Sequence, residues 1–74
     1  MKELLTYIAK SLVDHPEQVS VTEQSGDGET ALELRVASED MGKVIGRQGR
    51  IAKWIGVLMR SAGQRQGTRV SVEI

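Results

Sequence analysis

Cysteine is absent from all 74 residues, so neither a disulfide nor a thiolate metal site can form. Phenylalanine is absent too, leaving Tyr7 and Trp54 as the only aromatics. Two rings are too few for the row of base-stacking platforms that some single-strand binders use. His15 is the single histidine and Pro16 the single proline. One imidazole without a sequence-near partner reads as structural or solvent-facing, not catalytic. No apolar run of about 18 residues occurs, and the N-terminus lacks the basic-then-apolar pattern of an export signal. A soluble, cytoplasmic protein without membrane association is the expectation. No nucleophile–base pair and no cluster of metal ligands is visible, so no enzyme activity, cofactor or metal is expected.

Net charge is also missing: ten acids balance ten bases. The balance hides a division. Residues 1–41 hold nine acids against Lys2, Lys10 and Arg35. Residues 42–74 hold Lys43, Arg47, Arg50, Lys53, Arg60, Arg65 and Arg69 against Glu73 alone. A neutral molecule divided this way can still present a basic patch to nucleic acid. The alternative is a solvated surface with chance segregation of charge.

The length predicts one domain over residues 1–74 with one small core. Leu4, Leu5, Ile8, Ala9 and Leu12 recur at helical spacing, and Asp14-His15-Pro16 ends that helix. Val19 and Val21 alternate with Ser20 and Thr22, as Leu32, Leu34 and Val36 do with Glu33 and Arg35. Ser25-Gly26-Asp27-Gly28 between them reads as the turn of an antiparallel hairpin. Ser38 is placed to cap a short helix over about Glu39 to Ile45, with Glu39 and Asp40 in its first turn suiting the dipole.

A longer helix starts near Gly49 or Arg50, with a stripe of Ile51, Ile55, Leu58 and Ala62 joined by Ala52 and Met59. Gly56 lies inside it, and Gly63 fits its C-cap. Val70, Val72 and Ile74 then alternate with Arg69, Ser71 and Glu73 as a third strand. The order α-β-β-α-α-β predicts an α+β, two-layer fold: a three-stranded mixed sheet with three helices on one face. Ser20, Thr22, Glu33, Arg35, Ser71 and Glu73 face water on the other.

The stretch that carries chemistry is Lys43-Val44-Ile45-Gly46-Arg47-Gln48-Gly49-Arg50-Ile51-Ala52-Lys53. Two glycines three apart, at the start of a helix, allow close approach of another chain to backbone N–H groups that favour phosphate. Lys43, Arg47, Arg50 and Lys53 add charge, Gln48 adds a hydrogen-bonding amide, and Val44, Ile45 and Ile51 or Ala52 can floor a groove. Single-stranded nucleic acid suits such a site, since its bases can be splayed onto a platform. The bland alternative is a tight interhelical turn. The G-x-G-x-x-G fingerprint fails, because Val44 stands where glycine is needed, and no Gly-Lys-Ser/Thr follows the loop. Trp54 beside the stripe has three readings: a boundary core residue, a protein-interface anchor with Val57, or a stacking surface.

The segment Val44–Ala52 resembles the signature loop of the KH domain, and the element order is that of its type II form. Over essentially all 74 residues the chain is similar to the small bacterial RNA-binding KH proteins of the KhpA type. That resemblance implies single-stranded RNA held between the Gly46–Gly49 clamp and a hydrophobic groove, with Arg47 and Gln48 on the sugar-phosphate chain and Ile45 lining the groove. It also implies RNA-chaperone or post-transcriptional regulatory work tied to cell shape and cell-wall biogenesis. The partners it implies are a larger KhpB-type KH-containing protein and a second copy in a homodimer. Ala52, Trp54 and Gly56 depart from the pattern, where isoleucine, a small residue and a basic residue are expected.

Overall fold

The computed structural model describes residues 1–74. Helix α1 spans Lys2–Leu12 and buries Leu5 and Ala9. Leu4 and Leu12, expected in the same stripe, stay exposed. Leu4 lies about 100° round the helix from Leu5, and Leu12 is the last helical residue. The first turn has no side-chain cap of its own. Glu23, on the neighbouring strand, accepts the Lys2 N–H at 3.2 Å and puts an acid at the positive end of the dipole.

Strand β1 is Ser20–Gly26 and β2 is Glu29–Arg35, paired antiparallel from Ser20↔Arg35 to Gly26↔Glu29. The turn is shorter than the expected four residues. Ser25 and Gly26 remain in the ladder, and only Asp27 (φ 50°) and Gly28 (φ 76°) form the loop. Two left-handed residues give the turn whose twist matches that of the flanking strands. Strand β3, Arg69–Glu73, runs parallel to β2 from Glu29↔Arg69 to Glu33↔Glu73, so β2 is central in the order β1-β2-β3. Thr30, Leu32 and Leu34 are buried on alternate positions of β2, as alternation requires. Val19 and Val36 fall just outside the strands and are half-buried.

The crossover from β2 to β3 holds the two helices that flank the glycine loop: α2, Met41–Ile45, and α3, Arg50–Arg65. With α1 they form one layer against the mixed sheet, as the α+β two-layer expectation has it. Leu5, Ala9, Val21, Leu32, Leu34, Val44, Ile55, Met59 and Val70 make the shared core. The stripe of α3 is centred on Ile55, Met59 and Gly63, while Leu58 is left 47% exposed.

Two local expectations are corrected. Gly63 does not end α3. The helix continues to Arg65, and a Cβ at Gly63 would lie 2.3 Å from Val70 Cγ2 and 2.9 Å from the Thr68 carbonyl oxygen. Gly63 is therefore where α3 touches β3, and the left-handed stop falls to Gly67 at φ 73°. Ser38 makes no capping hydrogen bond; Ser38–Asp40 is a 3-10 turn, and Asp40 is turned inward to complete burial. Its partners lie in the turn after α1 and are described below.

Candidate nucleic-acid interface

Helix α2 ends at Ile45, and the chain reverses through Gly46 (φ 75°, ψ 177°), a 3-10 turn over Arg47–Gly49, and into α3. The Gly46 dihedrals lie in a region that is essentially glycine-only. Gly46 is also crowded: a Cβ there would sit 2.5 Å from Ile51 Cγ1. Gly49 is left-handed (φ 73°, ψ 16°), with open space around it. Gln48 between them is left-handed as well (φ 57°, ψ 27°), which periodicity could not foretell. Gly46 N–H donates to the Gly42 carbonyl at 2.9 Å, and Gly49 N–H to that of Gly46 at 3.2 Å. The N-cap of α3 is Gly49, so no side chain closes the helix end. First-turn N–H groups without intrahelical partners face the loop, with the positive end of the dipole behind them.

Arg47, Gln48, Arg50 and Lys53 are exposed around this loop. None of the three cations takes part in an ion pair of the fold. Arg50 and Lys53 line an open hollow on α3 with Trp54 and Val57, and no acid borders it. A second hollow, between the sheet and α2, carries Met41, Val36 and Ile74 but also Glu33 and Glu73. The acid-free side suits an anionic chain better. Ile45, Ile51 and Ala52 are half-buried beside the loop, whereas Val44 is wholly in the core and cannot floor a groove. Trp54 is 65% exposed and Val57 43%, so the boundary-core reading of Trp54 does not hold.

Lys43 differs from the other bases. Its ammonium pairs with the Asp14 carboxylate and stands 3.5 Å from Asp40 Oδ1. The hydrogen bond to Asp14 holds its pKa above the usual lysine value. Asp40 itself is 0% exposed. Its carboxylate accepts the backbone N–H of Asp14 (3.3 Å) and of His15 (2.9 Å), and the His15 ring lies with Nδ1 3.0 Å away. Burial pushes the Asp40 pKa up, but these hydrogen bonds, the His15 ring first, outweigh it and hold the group below the ordinary aspartate value. The bond to Asp40 raises the His15 pKa in turn. His15 is thus structural, as its isolation in the sequence implies. The only signal for Asp40 was an acid just before a short helix, which reads equally as a dipole partner.

No helix is long and apolar enough to cross a membrane, and no group of three or more His, Cys, Asp or Glu is placed to hold a metal ion. The family model described as KhpA/KhpB, KH domain, matches residues 2–74. The RNA-binding protein KhpA of Clostridium acetobutylicum is 57% identical over 74 residues, covering 100% of this chain and 99% of its own. Its counterpart in Clostridium perfringens is 55% identical with the same coverage. In Treponema pallidum, RNA-binding protein KhpA is 49% identical over 73 residues, covering 99% of this chain and 91% of its own.

Proposed function

The chain belongs to the KhpA/KhpB KH-domain family, and on that premise we propose that residues 1–74 act as one KH domain that binds single-stranded RNA. The observation that carries the reading is the loop itself. Gly46 holds a glycine-only conformation, α3 begins behind it without a side-chain cap, and Arg47, Arg50 and Lys53 stand beside it unpaired. Backbone N–H groups and these cations hold the sugar-phosphate chain, and Gln48 hydrogen-bonds to it. Gly46 shapes the loop and Gly49, with open space around it, lets the RNA backbone come close, while Ile45 lines the groove that receives bases. The work is that of an RNA chaperone or post-transcriptional regulator in the cytoplasm, with a larger KhpB-type protein as partner. Two aromatic side chains, both exposed, support modest affinity and modest sequence selectivity from one domain.

A double substitution, R47D with Q48D, tests this. It places two negative charges in the clamp without touching the core. Loss of binding to single-stranded RNA, with an unchanged circular dichroism spectrum, is the expected result. Undiminished affinity overturns the clamp.

A second reading rests on the face formed by Trp54, Val57 and Leu58, which are 65%, 43% and 47% exposed. Here α3 supplies a protein interface, for a homodimer or for the larger KH-containing partner, and RNA contact is minor. Exposed tryptophan beside aliphatic residues is a common interface anchor. The two readings join if a dimer pairs two weak clamps and gains avidity.

A further inference from the structure

We infer that Asp40 and Lys43 are positioning residues for RNA binding: they seat α2, and through it the Gly46–Gly49 loop, without touching RNA. This rests on the clamp reading above. The five residues of α2 are far too few for a helix to be stable on local hydrogen bonds. Something else must set its place. In the core it contributes a single fully buried side chain, Val44. At its N-terminal end stands Asp40, buried and bonded to the N–H groups of Asp14 and His15 and to the His15 ring. Lys43, within α2, reaches the same pair of acids, Asp14 and Asp40. The turn after α1 is thereby tied to both ends of one helical turn, and the loop glycine Gly46 follows directly, its N–H donating into α2 at the Gly42 carbonyl.

The chemistry gives the tie its one-sidedness. A buried carboxylate is tolerated only while its donors stay in place, because an unpaired buried charge is expensive. Any displacement of α2 pulls Asp40 from those donors, so the helix has one low-energy seat. Lys43 spends its charge on Asp14 and Asp40, whereas Arg47, Arg50 and Lys53 have no such partners. Its contribution to RNA affinity is therefore indirect, although it sits three residues before the first clamp glycine.

Amide hydrogen exchange and RNA titration over a range of salt, on wild type, D40N and K43M, separate the possibilities. The amides of Val44, Ile45 and Gly46 are expected to lose about tenfold or more protection in D40N, and about two- to fivefold in K43M, whose pair with Asp14 is largely exposed, while the β1–β2 ladder keeps its own. RNA affinity is expected to fall in step, about tenfold in D40N and less in K43M, with the slope of log affinity against log salt unchanged. K43M carries the same readouts should D40N fail to fold. Three results overturn the inference: unchanged protection in α2, a uniform loss across sheet and helix that marks mere destabilisation, or a salt slope in K43M reduced by about one, the signature of a lost phosphate contact. Should wild type bind no RNA while the exchange pattern appears as expected, α2 is seated as described and the RNA reading alone falls.

Discussion

Gly46 and Ile51 are in mutual contact across the loop, so close that a Cβ on Gly46 would meet Ile51 Cγ1 at 2.5 Å. The first loop glycine is held by two constraints, its dihedrals and this neighbour. The second, Gly49, is held by φ alone.

Alanine at the two positions should therefore behave differently. G49A costs about 1–2 kcal/mol, the penalty for a side chain in the left-handed region, and G49N costs less, since asparagine tolerates that region. G46A costs more than G49A, because Ile51 must also move. Urea unfolding of the three variants checks the order; equal losses at 46 and 49 would show that the Ile51 contact is soft.

Gly63 and Gly56 supply a second contrast within α3. G63A drives a methyl into Val70 and the Thr68 carbonyl, an overpacking that costs about 1–3 kcal/mol. G56A meets only the Arg60 guanidinium, at 3.5 Å, which is ordinary contact. It should gain about 1 kcal/mol from helix propensity. Thermal melts that fall for one and rise for the other confirm the pair; a destabilised G56A would point to a packing role on that side.

His15 and Asp40 together set a pH window. His15 binds its proton more tightly when folded. Its contribution is complete below the unfolded value of about 6.5 and lost as pH rises through the higher folded value. Asp40 has the reverse sign: its folded pKa is depressed. That contribution is complete above about 3.9 and lost as pH falls through the lower folded value. Glu39, 3.6 Å from His15 Nε2, and Glu17 favour the imidazolium as well. H15Q should therefore remove the decline in stability expected above about pH 6.5. It should weaken the acid limb without abolishing it, since the His15 ring is the largest contribution holding the Asp40 pKa down while the Asp14 and His15 backbone N–H groups remain. Urea midpoints across that range read it directly. An unaltered alkaline decline would mean that His15 does not carry it.

Trp54 can be removed at little cost to the fold. It is largely exposed, so W54A should change stability by no more than about 0.5 kcal/mol. If α3 is a protein interface, W54A abolishes concentration-dependent mass in sedimentation. A wild-type monomer at every accessible concentration refutes self-association through this face.

Much of this was readable in advance, for identifiable reasons. Gly46 and Gly49 announced a turn because few other residues adopt their dihedrals, and the alternation of Leu32 and Leu34 could only be a half-buried strand. Gly63 was ambiguous because a glycine near the end of a helical pattern serves equally as a stop or as a close approach, and Val70 is met only in three dimensions. Leu58 and Met59 are neighbours in sequence, about 100° apart on the helix. Where β3 lies decides which of them is buried. The inward turn of Asp40 is not legible in sequence because its donors, Asp14 and His15, are 26 and 25 residues away. Lys43 stands beside the loop cations in sequence, and its pairing with Asp14 spans 29 residues.

The parallel pairing of β2 with β3 has a kinetic meaning. The β1–β2 hairpin closes over two residues and can form within about 1–10 μs. The Glu29↔Arg69 pairing must enclose the whole crossover, α2, loop and α3 together, and such long closures are slow. The seat of α3 is complete only when Val70 arrives beneath Gly63. On the ribosome, β3 emerges after both helices that frame the loop. A nascent chain can thus pair β1 with β2 while the glycine loop between α2 and α3 still lacks its frame.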